Sequence, residues 1–181
     1  PGDVEHGVEP GPDPRMLRRL FAHLLEAIDL LADRHRHVLG QIALTKAVLP
    51  VMLEQNSGHL AVTSSVAGKI GAPLRTGYCA AKHAMMGFFD ALRAETAADG
   101  LRVTTITPGY IRTNVSANAI NGDGSRFGKT DQDIANGMDV DRCAEVIMAG
   151  FRKGMPEIPV GEGMEMKALV LKRFFPKAVF R

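Results

Sequence analysis

The strongest constraint on the fold lies between His59 and Thr107, where two short β-rich runs flank one helical run. His59 to Ser64 reads His-Leu-Ala-Val-Thr-Ser and follows the turn residues Asn56-Ser57-Gly58. A short apolar run with such bounds predicts a buried parallel strand. Residues 78–98 are rich in alanine, contain no proline and are followed by Gly100, which predicts a helix with its stop. Leu101 to Thr107, Leu-Arg-Val-Thr-Thr-Ile-Thr, is again β-rich and ends at Pro108-Gly109. Strand, helix and strand at this spacing predict a right-handed parallel crossover, the repeating unit of α/β folds.

The flanking segments fit around that unit. Residues 1–14 hold four prolines and three glycines with no apolar period, so they read as a tail, leaving 15–181 as one domain. From Arg15 to Leu31 apolar residues recur at helical spacing. A second helical pattern runs from about Val38 to Gln55, with Pro50 expected to kink it or mark a weak turn. The stretch Asn114 to Gly137 is crowded with Asn, Gly, Asp and Ser and predicts a long loop with short helical pieces at most. Asp141 to Phe151 predicts a helix, and Glu157 to Val160 an edge strand.

Bulk properties narrow the function classes. A net charge of +2 over 181 residues, without basic residues interleaved with aromatics along most of the chain, argues against nucleic acid as a partner. No apolar run is long enough to cross a bilayer, and Cys79 and Cys143 match no metal-ligand spacing and form no disulfide framework. The chain therefore reads as soluble and cytoplasmic, with no metal site.

Chemistry concentrates at Tyr78 and Lys82. Four residues apart in a helix, they share a face, and the ammonium can act on the phenol. A phenol has an ordinary pKa of about 10, and lowering it by roughly three units takes about 4 kcal/mol of differential stabilisation. A nearby cation in a dry cleft supplies part of that. Ser65 falls at the carboxyl end of the first predicted strand, where open α/β sheets place ligands, and its hydroxyl could hold a substrate carbonyl.

Thr63-Ser64-Ser65-Val66-Ala67-Gly68, followed thirteen residues after Ser65 by Tyr78-Cys79-Ala80-Ala81-Lys82-His83-Ala84, resembles the catalytic segment of the short-chain dehydrogenase/reductases. The likeness extends through Leu44 to Pro50 and through Thr107-Pro108-Gly109-Tyr110-Ile111-Arg112-Thr113, and is closest to the hydroxysteroid-dehydrogenase-like branch. The resemblance implies a partial Rossmann-like, doubly wound parallel sheet and an NAD- or NADP-dependent exchange of hydride with an apolar alcohol or carbonyl. It implies Tyr78 as general acid/base, Lys82 on the nicotinamide ribose, and Ser65 orienting the reacting oxygen. Pro108, Gly109, Ile111 and Thr113 would meet the nicotinamide carboxamide, the 114–137 loop would close over substrate, and a homodimer or homotetramer is expected.

The resemblance runs from roughly Val38 to Arg181 and omits the family's nucleotide-binding strands, since no glycine-rich turn follows a strand. His37 stands where the family has an asparagine, and residues 1–37 look like an atypical lead-in. The rival expectation is thus a non-catalytic fragment or dimerisation module. A Ser-Lys hydrolase using Ser65 and Lys82 lacks a recognisable elbow. Met85, Met86, Phe88, Phe89 and Leu92 predict core or a subunit interface, and His59 and His83 predict packing or surface roles. Lys167 to Arg181 mixes five basic residues with large apolar ones and no acid, which suits either a membrane surface or a packed helix with a solvated basic face.

Overall fold

The computed structural model describes residues 38–119, 124–126 and 128–179. The expected tail, the Arg15 to Leu31 helix and His37 lie outside the described residues. Residues 38–54 are helical (α1). They lead to strand β1 (Gly58–Thr63), helix α2 (Thr76–Glu95), strand β2 (Leu101–Pro108) and the short α3 (Gln132–Ala135). Helix α4 (Val140–Arg152), strand β3 (Glu157–Val160), α5 (Met164–Phe174) and α6 (Pro176–Val179) complete the described order.

All three strands are parallel, in the order β1-β2-β3, with Gly58 opposite Leu101 and Thr105 opposite Glu157. The central strand β2 is buried from Val103 to Thr107, as a parallel strand covered on both faces must be. Alternation along it divides the core. Val103 joins Val62, Met85, Phe89 and Leu92 beneath α1 and α2, whereas Ile106 joins Ile158, Val160, Cys143 and Met138 beneath α4. The expected doubly wound α/β arrangement is present in these strands, and the stripe on α2 serves as core, with only Phe88 half-buried.

Local chemistry explains the boundaries. Helix α1 runs through Pro50 and ends at Asn56, whose φ of 48° lets the Ser57 amide reach Met52 O and its own amide reach Leu53 O. That bond pair is a Schellman stop with asparagine in place of glycine. Helix α2 starts two residues earlier than its sequence pattern and gives way at Ala97 to a 3₁₀ turn closed by Gly100 at φ 73°. Asp139 caps α4, accepting from the amides of Asp141 and Arg142.

The segment after β2 leaves and returns through a pinned base. Ile111 pairs with Met138, the Arg112 amide donates to Met138 O at 2.8 Å, and the Arg112 guanidinium reaches Asp139 at 2.6 Å. Arg112 and the two cap amides hold the Asp139 carboxyl below its ordinary value of 3.8. A depressed carboxyl contributes stability above its unfolded pKa and loses it as pH falls through the folded value. Limited proteolysis between residues 114 and 137 is therefore expected to accelerate as pH drops below about 4. Asp139→Asn should show that faster cleavage already at pH 7, and unchanged cleavage would refute the pinned base. In the core, Phe89→Ala is expected to lower stability by about 3–5 kcal/mol in chemical denaturation.

Candidate active site

Ser65 stands two residues beyond the end of β1 and caps the 3₁₀ turn Val66–Gly68, its Oγ accepting from the Ala67 amide at 3.1 Å. The residue is buried, and with one acceptor site used its hydroxyl hydrogen is the part that can address a ligand. The turn is pressed against α2. A Cβ on Gly68 would stand 2.8 Å from both Lys82 O and Ser64 Oγ, so only glycine allows this approach.

Lys82 is clasped from both ends of its own residue. Ser64 Oγ donates to its carbonyl at 3.2 Å, and its Nζ donates to Thr63 O at 3.4 Å. The ammonium lies 5.7 Å from the centre of the Tyr78 ring, one helical turn earlier on the same face. Thr63, Ser64 and Ser65 are consecutive, so the bonds that orient Lys82 also hold the Ser65 turn beside the Tyr78–Lys82 face. The three residues singled out by spacing are thus brought to one locality at the carboxyl end of a parallel strand.

The second wall follows β2. Pro108 is the last residue of the strand, the Gly109 amide donates to Val160 O at 2.7 Å, and the Tyr110 amide donates to Glu165 Oε1 at 3.3 Å. Ile111 is half-buried and packs on the α4 cluster, whereas Thr113 is exposed and its Oγ1 accepts from the Val115 amide. Burial and the nearby Asp133 push the Tyr110 phenol above its ordinary value.

Several contributors carry no signal in the sequence. Arg75, just ahead of α2, reaches Asp131 at 3.4 Å and ties the far end of the 114–137 excursion to the helix bearing Tyr78. Glu157 Oε2 pairs with Lys69 at 2.5 Å while its Oε1 accepts from Thr107. Lys172 of α5 donates to Lys69 O at 2.5 Å. Glu165 and Lys172, seven residues apart, therefore brace the Tyr110 turn and the segment after Ser65 from one helix. Only the Asp131 cap had a readable cue, as an Asp two residues before Asp133 at a helix start.

Of the two described histidines, His59 packs in the fold and His83 lies at the surface. His59 bonds Thr104 Oγ1 at 2.9 Å and meets Phe151 edge-on, and desolvation holds its imidazole below the ordinary value. His83 bonds the Cys79 carbonyl of its own helix. Among the described residues no group of three or more His, Cys, Asp or Glu could hold a metal ion, and no helix is long and apolar enough to cross a membrane.

Comparison with known proteins agrees with this arrangement. The family model described as short chain dehydrogenase matches residues 30–123. The chain is 44% identical over 143 residues to Dehydrogenase/reductase SDR family member 7B of Danio rerio, covering 78% of this chain and 46% of that protein. It is also 44% identical over 141 residues to Dehydrogenase/reductase SDR family protein 7-like of Drosophila melanogaster, covering 78% and 43%. A short-chain dehydrogenase structure from Streptomyces avermitilis superposes with a TM-score of 0.66 at 26% identity, over 82% of this chain and 58% of that one. At 20% identity, a Burkholderia cenocepacia short chain dehydrogenase in complex with NADP supports the fold with a TM-score of 0.65, over 82% and 56%. The chain spans about half the length of the curated relatives it matches. With the sheet, the clasped Tyr78–Lys82 face and 94 matched residues in agreement, the chain belongs to the short-chain dehydrogenase family.

Proposed function

We propose that this chain carries the proton-transfer centre of an NAD(P)-dependent oxidoreductase that interconverts an alcohol and a carbonyl on an apolar small molecule. The observation that carries the reading is the Lys82 ammonium 5.7 Å from the Tyr78 ring, held by bonds to the strand end that bears Ser65.

The described residues fit the nicotinamide-ribose half of such a cofactor. The Lys82 ammonium, which here bonds Thr63 O and Met85 Sδ, would turn to ribose hydroxyls, and the backbone from Pro108 to Ile111, half-buried and followed by the exposed Arg112 and Thr113, would meet the flat carboxamide-bearing ring. When bound, the nicotinamide supplies or accepts the hydride. Tyr78 Oη takes the hydroxyl proton in oxidation and returns it to the carbonyl oxygen in reduction. Ser65 Oγ–H donates to that oxygen, fixing its position. NAD and NADP are both compatible with these residues.

A cavity of about 630 Å³, lined by Tyr110, Met138, Ala168 and Leu171 and also by the carboxylates Asp133, Glu162 and Glu165, has room for a drug-sized ligand beside the turn after β2. Exposed Ala80, Ala84 and Gly87 on α2 leave a flat face suited to a homodimer or homotetramer. Two buried free cysteines agree with a reducing, cytoplasmic setting. The second reading, a module that assembles without turnover, is favoured by the outer edge of β1, which pairs with no strand among the described residues.

Calorimetric titration with NADH and NADPH separates the two: saturable binding is expected, and none at millimolar cofactor would leave the assembly reading. Tyr78→Phe should cut turnover by about 10²–10⁴-fold with cofactor affinity kept, because only proton transfer is removed. A Ser-Lys hydrolase would keep its rate. Lys172→Ala and Glu165→Gln should each speed amide exchange about five- to tenfold in the turn that loses its brace, residues 68–70 and 109–110 respectively. Equal protection in wild type and variants would remove the bracing role without touching the Tyr78 assignment.

A further inference from the structure

We infer that α5 and α6 form a docking surface for an anionic membrane. The inference starts from how α5 is rotated. A helix at a protein surface ordinarily turns its apolar stripe inward and its charges to water. Here Glu165 and Lys172 face the protein, bonded to the Tyr110 amide and to Lys69 O. Outside, Met164 is 72% exposed, Val170 61%, Leu171 40%, Phe174 69% and Phe175 66%. At 100° per residue Met164, Lys167, Val170, Leu171 and Phe174 fall within one arc of about 120°. The solvated basic face expected of a packed terminal helix is therefore replaced by an apolar face.

That face holds Lys167 near its middle and is followed by Arg173 and Lys177, while Glu162 is an exposed acid just ahead of Met164. Lys167, Arg173 and Lys177 are exposed, and no acid occurs from residue 167 onward. Aliphatic and phenylalanine side chains seat in the boundary between headgroups and acyl chains, while lysine and arginine meet anionic headgroups above it. Charge decides the occupant. A second copy of this chain would bring the same three cations together at the contact, whereas an anionic lipid surface complements them. Among the described residues no helix can span a bilayer, so the contact is peripheral, with α5 lying in the interfacial plane. Met164, Ala168 and Leu171 also border the cavity beside Tyr110, so an amphiphile dissolved in the surface has a short path to it.

Cosedimentation with vesicles tests this without any enzymatic readout. The full chain is expected to bind phosphatidylcholine vesicles containing about 30% phosphatidylserine and to leave pure phosphatidylcholine vesicles unbound. The double variants F174S/F175S and K167E/R173E should each weaken binding by at least about tenfold. Raising salt to about 0.5 M should release the wild-type protein, a check that needs no variant to fold. Equal binding to neutral and anionic vesicles, persistence in high salt, or no binding would each overturn the inference. So would a dimer in sedimentation equilibrium that F174S/F175S abolishes while vesicles remain unbound, because the face would then belong to a second copy.

Discussion

The close approach of Gly68 to the backbone of Lys82 is the contact on which the site depends. It allows the turn after β1 to lie against α2, and two hydrogen bonds from consecutive residues then fix where Lys82 starts and where its ammonium ends. A side chain at Gly68 would push at 2.8 Å against the Lys82 carbonyl, which is helix backbone and cannot swing aside, and against the Ser64 hydroxyl, whose rotation would break its bond to that carbonyl. Ser65, one residue from the first bond, would move with the turn. A position that looks like loop punctuation thus sets the spacing between hydroxyl, phenol and ammonium.

Much of this was legible in the chain itself, for definable reasons. β1, β2 and β3 lie within a residue or so of their sequence patterns because each is a short β-rich run between turn residues, although only β2 is buried along most of its length, and β1, expected to be buried, exposes Ala61 and Thr63. The grouping of Ser65, Tyr78 and Lys82 was readable because one helical turn and one strand end place them by local geometry alone. Pro50 was misleading: a missing amide donor weakens one bond of α1, and packing of Leu49 and Val38 on the core outweighs it. The cap of α4 was readable only as an aspartate, because Asp139 and Asp141 offer the same side chain and only the backbone decides between them.

What was not legible is everything that joins residues distant in sequence. Glu165 meets Tyr110 across 55 positions, and Lys172 meets Lys69 across 103. Nothing in a run of Met, Glu, Lys, Ala and Leu tells which side of α5 faces inward, and hydropathy points the wrong way. Two charged side chains with strong, specific acceptors and donors outweighed the burial of Val170 and Phe174, since charge-assisted bonds to backbone groups are stronger than neutral ones. The same preference links the brace to the apolar outer face: turning Glu165 and Lys172 inward leaves the apolar residues outside.

The sheet carries one more consequence for the site. β1 is an edge strand among the described residues, with Ala61 and Thr63 exposed and a cavity of about 420 Å³ beside it, lined by Leu44, Val48 and Leu60. An unpaired parallel edge exposes a row of backbone donors and acceptors beside apolar surface, a combination that favours the addition of a strand. A parallel strand added there would end at the same level as Thr63, and so next to Ser65 and the Lys82 ammonium. The clasp around Lys82 is joined to that strand end through Thr63 O and Ser64, so its geometry is set by β1 and α2 together.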